Sequence, residues 1–186
     1  MKNPKWFRIE SHKKPPKKFE LQATKLFYES FRRQHTAEDD DKYCSEPFLN
    51  LLAIEKNSVI GAARLFKREI AYGGRKIILG GIGEVCTRED KRRRGVATGI
   101  TKRAMEELKS QKCDIAYLCT NIGEEWKVKL YGKFGFVPLG RPYTYLGKSG
   151  KRYTDIDGMI APLKSREKFL LILNGKEILD LGKGNW

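Results

Sequence analysis

The stretch Thr87-Arg88-Glu89-Asp90-Lys91-Arg92-Arg93-Arg94-Gly95-Val96-Ala97-Thr98 decides how this chain folds. Before it, Lys76 to Thr87 carries Ile77, Ile78, Leu79, Ile82 and Val85 and reads as a strand. After it, Val96, Ile100, Ala104 and Leu108 recur four apart and build one apolar helix face. A strand therefore runs through a basic loop straight into a helix. The start of a helix exposes unpaired backbone N–H groups and a positive dipole end. Gly95 and Ala97 are small enough to let a ligand approach the backbone, and Arg92, Arg93 and Arg94 add charge at the same point. Physics alone makes this turn an anion site, with a solvated basic loop as the alternative.

Downstream, Asp114 to Thr120 reads as a strand and Glu124 to Phe134 as a helix stopped by Gly135. Strands are expected at Phe136–Leu139, Tyr143–Leu146 and Tyr153–Pro162, the last after a Gly147-Lys148-Ser149-Gly150 turn. Asn174-Gly175 between the apolar runs Phe169–Leu173 and Lys176–Leu181 reads as a closing β-hairpin. Upstream, Trp6 to Ile9 reads as a short strand. Phe19 to Arg33 reads as a helix, with Ala23, Leu26, Phe27 and Phe31 at helical spacing. The acidic run Glu38-Asp39-Asp40-Asp41 follows. Strands then span Phe48–Ile54 and Val59–Ile70, with a hairpin turn at Tyr72-Gly73-Gly74-Arg75. The order is mixed α/β with mostly antiparallel neighbours and one β-loop-α-β unit in the middle.

At 186 residues, 40% of them hydrophobic, the chain fills a core of its own, which excludes a disordered or disulfide-dependent protein. Lys and Arg number 38 against 23 Asp and Glu, a net charge of +15 that attracts anions without saying which. No run of 18 apolar residues marks a membrane span, and Met1-Lys2-Asn3-Pro4-Lys5 lacks an apolar signal core. Cys44, Cys86, Cys113 and Cys119 form no Cys-x-x-Cys pair, and no histidine lies near them at metal-ligand spacing. A reduced, cytoplasmic protein without metal is the simplest expectation. Gly147-Lys148-Ser149 ends like a phosphate-binding loop, but the leading glycine of that motif falls at Pro142.

Two further patterns carry a resemblance. Arg92-x-x-Gly95-x-Ala97 resembles the acyl-CoA motif of the GCN5-related N-acetyltransferase (GNAT) superfamily. Leu130-Tyr131-Gly132-Lys133-Phe134-Gly135-Phe136 resembles the family's second hallmark, Leu-Tyr-x-x-x-Gly-Phe. The resemblance spans roughly Glu20 to Leu163. It implies a mixed, mostly antiparallel sheet flanked by helices over residues 1–163, with residues 164–186 as a C-terminal β-hairpin extension on the same domain. It implies acetyl-CoA as cofactor: Val85, Cys86 and Thr87 along the pantetheine arm, and Arg92, Arg93, Arg94, Gly95, Val96, Ala97 and Thr98 at the pyrophosphate. Tyr131 takes the position that protonates the departing thiolate; the alternative is a core aromatic. Where the family usually has Asn and a small residue, this chain has Glu124 and Lys127, with Trp126 between them. The usual carboxylate base falls at Gly83, one step from Glu84. One strand step changes face, and a bulge would restore it. Glu84 is the base candidate, with a structural role as the alternative. Cys86 as an acyl carrier competes with a buried, inert thiol. His12 and His35 lie in no motif.

The acceptor reading is narrower. Glu69–Arg75, Arg141–Thr144, Asp155-Ile156-Asp157-Gly158 and Gly184-Asn185-Trp186 together resemble aminoglycoside 2′-N-acetyltransferases and Eis-like acetyltransferases. That resemblance implies acceptor contacts from Asp41, Asp155 and Asp157 and from a terminal carboxylate on Trp186; the alternative for the acidic run with Asp41 is a solvated loop. The expected reaction is direct attack of a primary amine on the thioester, with a small cationic acceptor and aminoglycosides as one candidate. The alternatives are acetylation of a peptide or protein amine, and a non-catalytic module that binds RNA or ribosomes through Lys13-Lys14 and Lys17-Lys18. No membrane partner is expected, and a homodimer stays open.

Overall fold

The structure is a computed structural model that describes residues 6–32 and 36–186. His35 and Met1 to Lys5 lie outside the described residues. In chain order the strands are β1 (Arg8–His12), β2 (Leu49–Glu55), β3 (Ser58–Tyr72), β4 (Arg75–Thr87), β5 (Ile115–Cys119), β6 (Val137–Pro138), β7 (Tyr143–Leu146), β8 (Arg152–Asp155), β9 (Gly158–Pro162) and β10 (Leu179–Lys183). The helices are α1 (Lys17–Phe27), α2 (Ala37–Lys42), α3 (Val96–Ser110), α4 (Glu125–Gly132) and α5 (Arg166–Asn174). Among the described residues the strands form a seven-stranded sheet, ordered β1-β2-β3-β4-β5-β9-β6, and a three-stranded sheet, ordered β10-β7-β8. Every pairing in the large sheet is antiparallel except β4 with β5, which α3 connects as a parallel crossover.

The central strands are apolar on both faces because both faces are covered. In β2, Leu51 and Ala53 pack with Val96, Ile100, Ala104 and Leu108 of α3. Leu52 and Ile54 face the other way, onto Ala23, Leu26 and Phe27 of α1. Further along that second face, Phe66, Ile77 and Tyr117 pack with Tyr143, Ile172, Leu179, Leu181 and Trp186. At about 25 cal/mol per Å² of apolar surface, such double coverage dominates the favourable side of folding.

The C-terminal β-hairpin is not formed. Phe169–Leu173 lies within α5, and β10 pairs in parallel with β7 (Leu179 opposite Tyr143). Ser165 caps the helix through Lys168 N–H, and Phe169 and Ile172, three apart, bury one face while Leu170 stays outside. Gly175 has φ −71°, so Asn174-Gly175 does not adopt the positive-φ turn a two-residue hairpin needs. Tyr153–Pro162 is likewise two strands, β8 and β9, in different sheets. The acidic run is helical: Thr36 and Asp39 form a reciprocal capping box that starts α2. The first strand sits at Arg8–His12, two residues later than the expected Trp6 start. The first helix passes after Phe27 into a π-helical turn, Tyr28–Arg32.

Candidate active site

Two local irregularities of β4 open the site. Its parallel pairing with β5 runs only from Leu79–Ile115 to Gly81–Tyr117, although β4 continues to Thr87. Beyond Gly81 the strands part, and no described strand pairs with β4 on that side. A bulge follows: Ala62 pairs with Cys86 but Arg64 with Gly83, which leaves an extra residue in β4. Glu84 sits in the bulge at φ +52°. It therefore turns toward Arg64 of β3, whose Nη1 lies 2.7 Å from its Oε2. The bulge supplies the change of face that the one-residue offset from Gly83 called for.

The parted strands border a cleft of about 960 Å³. Val85, Cys86 and Thr87 line it, as do Arg92, Arg93, Gly95, Val96, Ala97 and Thr98. Gly95 is the N-cap of α3 at φ +83°, with no side-chain cap and no acidic residue in the first turn. Arg93 is also at positive φ, +58°. The first intrahelical bond of α3 runs from Gly99 N–H to Gly95, so the amides before it are left for a ligand. Arg94 does not line the cleft: its guanidinium lies 4.3 Å over the Trp6 ring. Lys91, Arg92 and Arg93 remain at the cleft, where Lys91 pairs with Glu55. Thr87 Oγ1 is buried without a partner beside these amides. An orphaned hydroxyl, uncapped amides and unspent basic charge fit the diphosphate and amide groups of a pantetheine carrier.

Tyr131 lines the same cleft from α4, 7% exposed, with Phe136 edge-on at 6.0 Å. Burial pushes its phenol up to about 12, so it holds its proton. Cys86 is 6% exposed, donates toward Ala62 O at 3.7 Å, and burial pushes it up to about 12. A thiol held protonated this firmly is a poor acyl carrier.

A second pocket of about 330 Å³ adjoins the cleft, and Phe31, Glu84 and Cys119 line both. The second pocket adds Asp39, Asp40, Tyr43, Ser45, Arg64, Phe66, Asn185 and Trp186. Trp186 is 5% exposed, stacks on Phe66 at 5.4 Å and meets Tyr117 edge-on at 5.6 Å. Arg68 lies 4.1 Å over the indole and donates to Leu181 O, Gly184 O and Ser45 Oγ. Any side chain at Gly81 would collide with the indole, and a Cβ at Gly83 would lie 2.9 Å from the Trp186 main-chain carbonyl carbon. A glycine pair in a strand signals such a close approach, and it was legible as Gly81-x-Gly83.

The other expected acceptor acids serve turns. Asp41 accepts from Ser149 N–H (2.6 Å), Ser149 Oγ (2.9 Å) and Tyr153 Oη (2.8 Å), and does not line the second pocket. The Ser149 amide, then Tyr153, hold its carboxyl below the usual range. Asp155 accepts from Ile156 and Asp157 N–H, and Asp157 from Ile122 N–H, which ties the β8–β9 turn to the loop before α4. His12 pairs with Glu10 on the edge strand. The acids that do face the pocket, Asp39 and Asp40, stand in the same run as Asp41. Only the helical phase of α2 separates them.

Residues 13–139 match the family described as an acetyltransferase (GNAT) domain. No curated protein matches the sequence significantly. Among solved structures, a probable N-acyltransferase from Enterococcus faecalis V583 superposes with TM-score 0.58 at 19% identity, covering 74% of this chain and 34% of that one. Eis1 from Mycobacterium abscessus gives TM-score 0.55 at 15% identity, with 74% and 32% covered. An aminoglycoside acetyltransferase, meta-AAC0020, from an uncultured soil metagenomic sample gives 0.54 at 14% identity, with 69% and 86% covered. The chain thus spans about a third of the length of the first two. The chain belongs to the GNAT acetyltransferase family, whose members take an acetyl group from acetyl-CoA.

Proposed function

We propose that this protein is an N-acetyltransferase that acetylates a primary amine of a small cationic acceptor. One observation carries the reading: the cofactor cleft opens into a separate pocket that has acids and aromatic rings in its walls, and the two meet at Glu84. Acetyl-CoA, when bound, supplies the activated acetyl group as a thioester. The amides of Val96, Ala97 and Thr98, with Arg92 and Arg93, would hold its diphosphate, and the buried Thr87 Oγ1 would have a partner in it. Tyr131 Oη keeps its proton at the cleft wall and donates toward the departing sulfur. Glu84, held by Arg64, receives the amine at the mouth of the second pocket and takes its proton directly or through water.

Asn185 and Trp186 wall the second pocket on one side, which favours a compact acceptor over a peptide lying in an open groove. Its 330 Å³ holds roughly ten water-sized groups of about 30 Å³ each. Asp39 and Asp40 suit a positive charge, and Phe31, Tyr43, Phe66 and Trp186 suit a cation or an apolar stem. Aminoglycosides are one candidate, entering through a single ring. The test is thiol release from acetyl-CoA across aminoglycosides, polyamines and peptides. Turnover with small cationic amines is the expected result. Turnover with peptides alone would overturn the acceptor reading, and the absence of acetyl-CoA binding by calorimetry would overturn the enzyme.

A further inference from the structure

We infer that Trp126, on the first turn of α4, is a stacking platform for the adenine of the acyl carrier; this rests on the acetyl-transfer reading above. Trp126 is 60% exposed, whereas Trp186 is 5% exposed. Tryptophan is highly buried on average, so an exposed one at the rim of a cleft needs a reason. It lines the same cleft as Arg92, Arg93 and the start of α3.

The ring is exposed but not loose. Its Nε1–H donates to Glu124 Oε2 at 2.8 Å. Lys127 Nζ lies 2.7 Å from Glu124 Oε1 and 5.5 Å from the indole centroid. The Lys127 hydrogen bond, then that of Trp126, hold the Glu124 carboxyl below its usual range, so it stays an ionised acceptor for the indole. Glu124 thus clamps both neighbours, and the rotamer of Trp126 is set before any ligand arrives. A preset aromatic side chain loses little conformational freedom on stacking.

The ligand chemistry follows from position. A carrier whose diphosphate sat on the α3 amides would place the group joined to it in coenzyme A, a flat purine nucleoside, in the same cleft that Trp126 lines. An indole face takes such a ring without needing hydrogen-bond readout. Lys127 places a cation beside the platform, which would suit the phosphate that this nucleoside carries.

The experiment titrates the full chain with coenzyme A and, separately, with pantetheine, by calorimetry and by tryptophan fluorescence. Coenzyme A is expected to quench fluorescence in the unaltered protein, and Trp126→Ala to remove most of that quench. Trp126→Ala should weaken coenzyme A by about tenfold, in line with base–aromatic stacking, and leave pantetheine unchanged. Trp126→Phe, which keeps a ring, should recover most of the affinity. Equal effects on both ligands, or no effect on coenzyme A, would overturn the stacking role while leaving the transferase standing. An unaltered protein that binds neither ligand would sink the acetyl-transfer reading itself.

Discussion

At the scale of single residues, Tyr131 shows how burial sets a chemical role. A phenol near 12 facing a thiol near 8.5 surrenders its proton only against a gap of about 5 kcal/mol. Under the proposed acetyl transfer, such a phenol would donate a hydrogen bond to the developing thiolate more than transfer its proton outright. Tyr131→Phe should lower kcat by about ten- to a hundredfold and leave acetyl-CoA affinity within about twofold. Steady-state kinetics beside calorimetry separates the two, and an unchanged kcat would remove Tyr131 from the chemistry. Gly81 makes the converse point. Gly81→Ala forces the Trp186 indole off the sheet. The expected cost is about 1–3 kcal/mol of stability, read by urea unfolding, together with a higher KM for the acceptor. The tyrosine was legible from its motif. The packing of Trp186 on Gly81 was not, because it joins residues that meet only when the chain folds back.

At the scale of elements, the start of α3 and the end of α5 fared differently. Gly95, the small residues after it and the basic loop before it all act within a few residues of one another, so the sequence announced them. Gly95→Ala meets no neighbour within 4 Å, so its cost is backbone strain alone, about 1–2 kcal/mol. It should raise the acetyl-CoA Kd as the N-cap shifts; a binding curve identical to the parent would count against the amide cradle. The α5 segment misled because Phe169-Leu-Leu-Ile-Leu is apolar throughout, and a short apolar run does not reveal its period. Its helix is decided by contacts from afar. Arg141 donates to the Leu173 and Ile172 carbonyls at the helix end, to Glu177 O and to Tyr72 Oη. Arg141→Ala should cost about 2 kcal/mol through carbonyls left unpaired, measured as a lower melting temperature with acetyl-CoA binding retained.

At the scale of the whole molecule, both faces of the large sheet bury tyrosines. Burial pushes Tyr131 and Tyr145 up to about 12 and drives Tyr117 and Tyr143 upward as well. The folded protein then keeps protons that the unfolded chain loses near pH 10. Stability is full below about pH 10 and falls as the pH rises through about 12. Alkaline unfolding followed by circular dichroism should coincide with the tyrosinate absorbance of these four buried rings; their titration near 10 in the folded state would contradict this. By itself the sequence determined the strand–loop–helix–strand unit from β4 through α3 to β5, the uncapped helix start at Gly95 and the cleft tyrosine, because each depends on periodicity or on neighbours along the chain. Only the tertiary structure decided that β4 and β5 part after Gly81 and that Glu84 turns in a bulge. It alone set Asp39 and Asp40, but not Asp41, in the wall of the second pocket, together with Trp186. Those outcomes depend on which surfaces compete for burial across more than a hundred residues, and no local pattern encodes that competition.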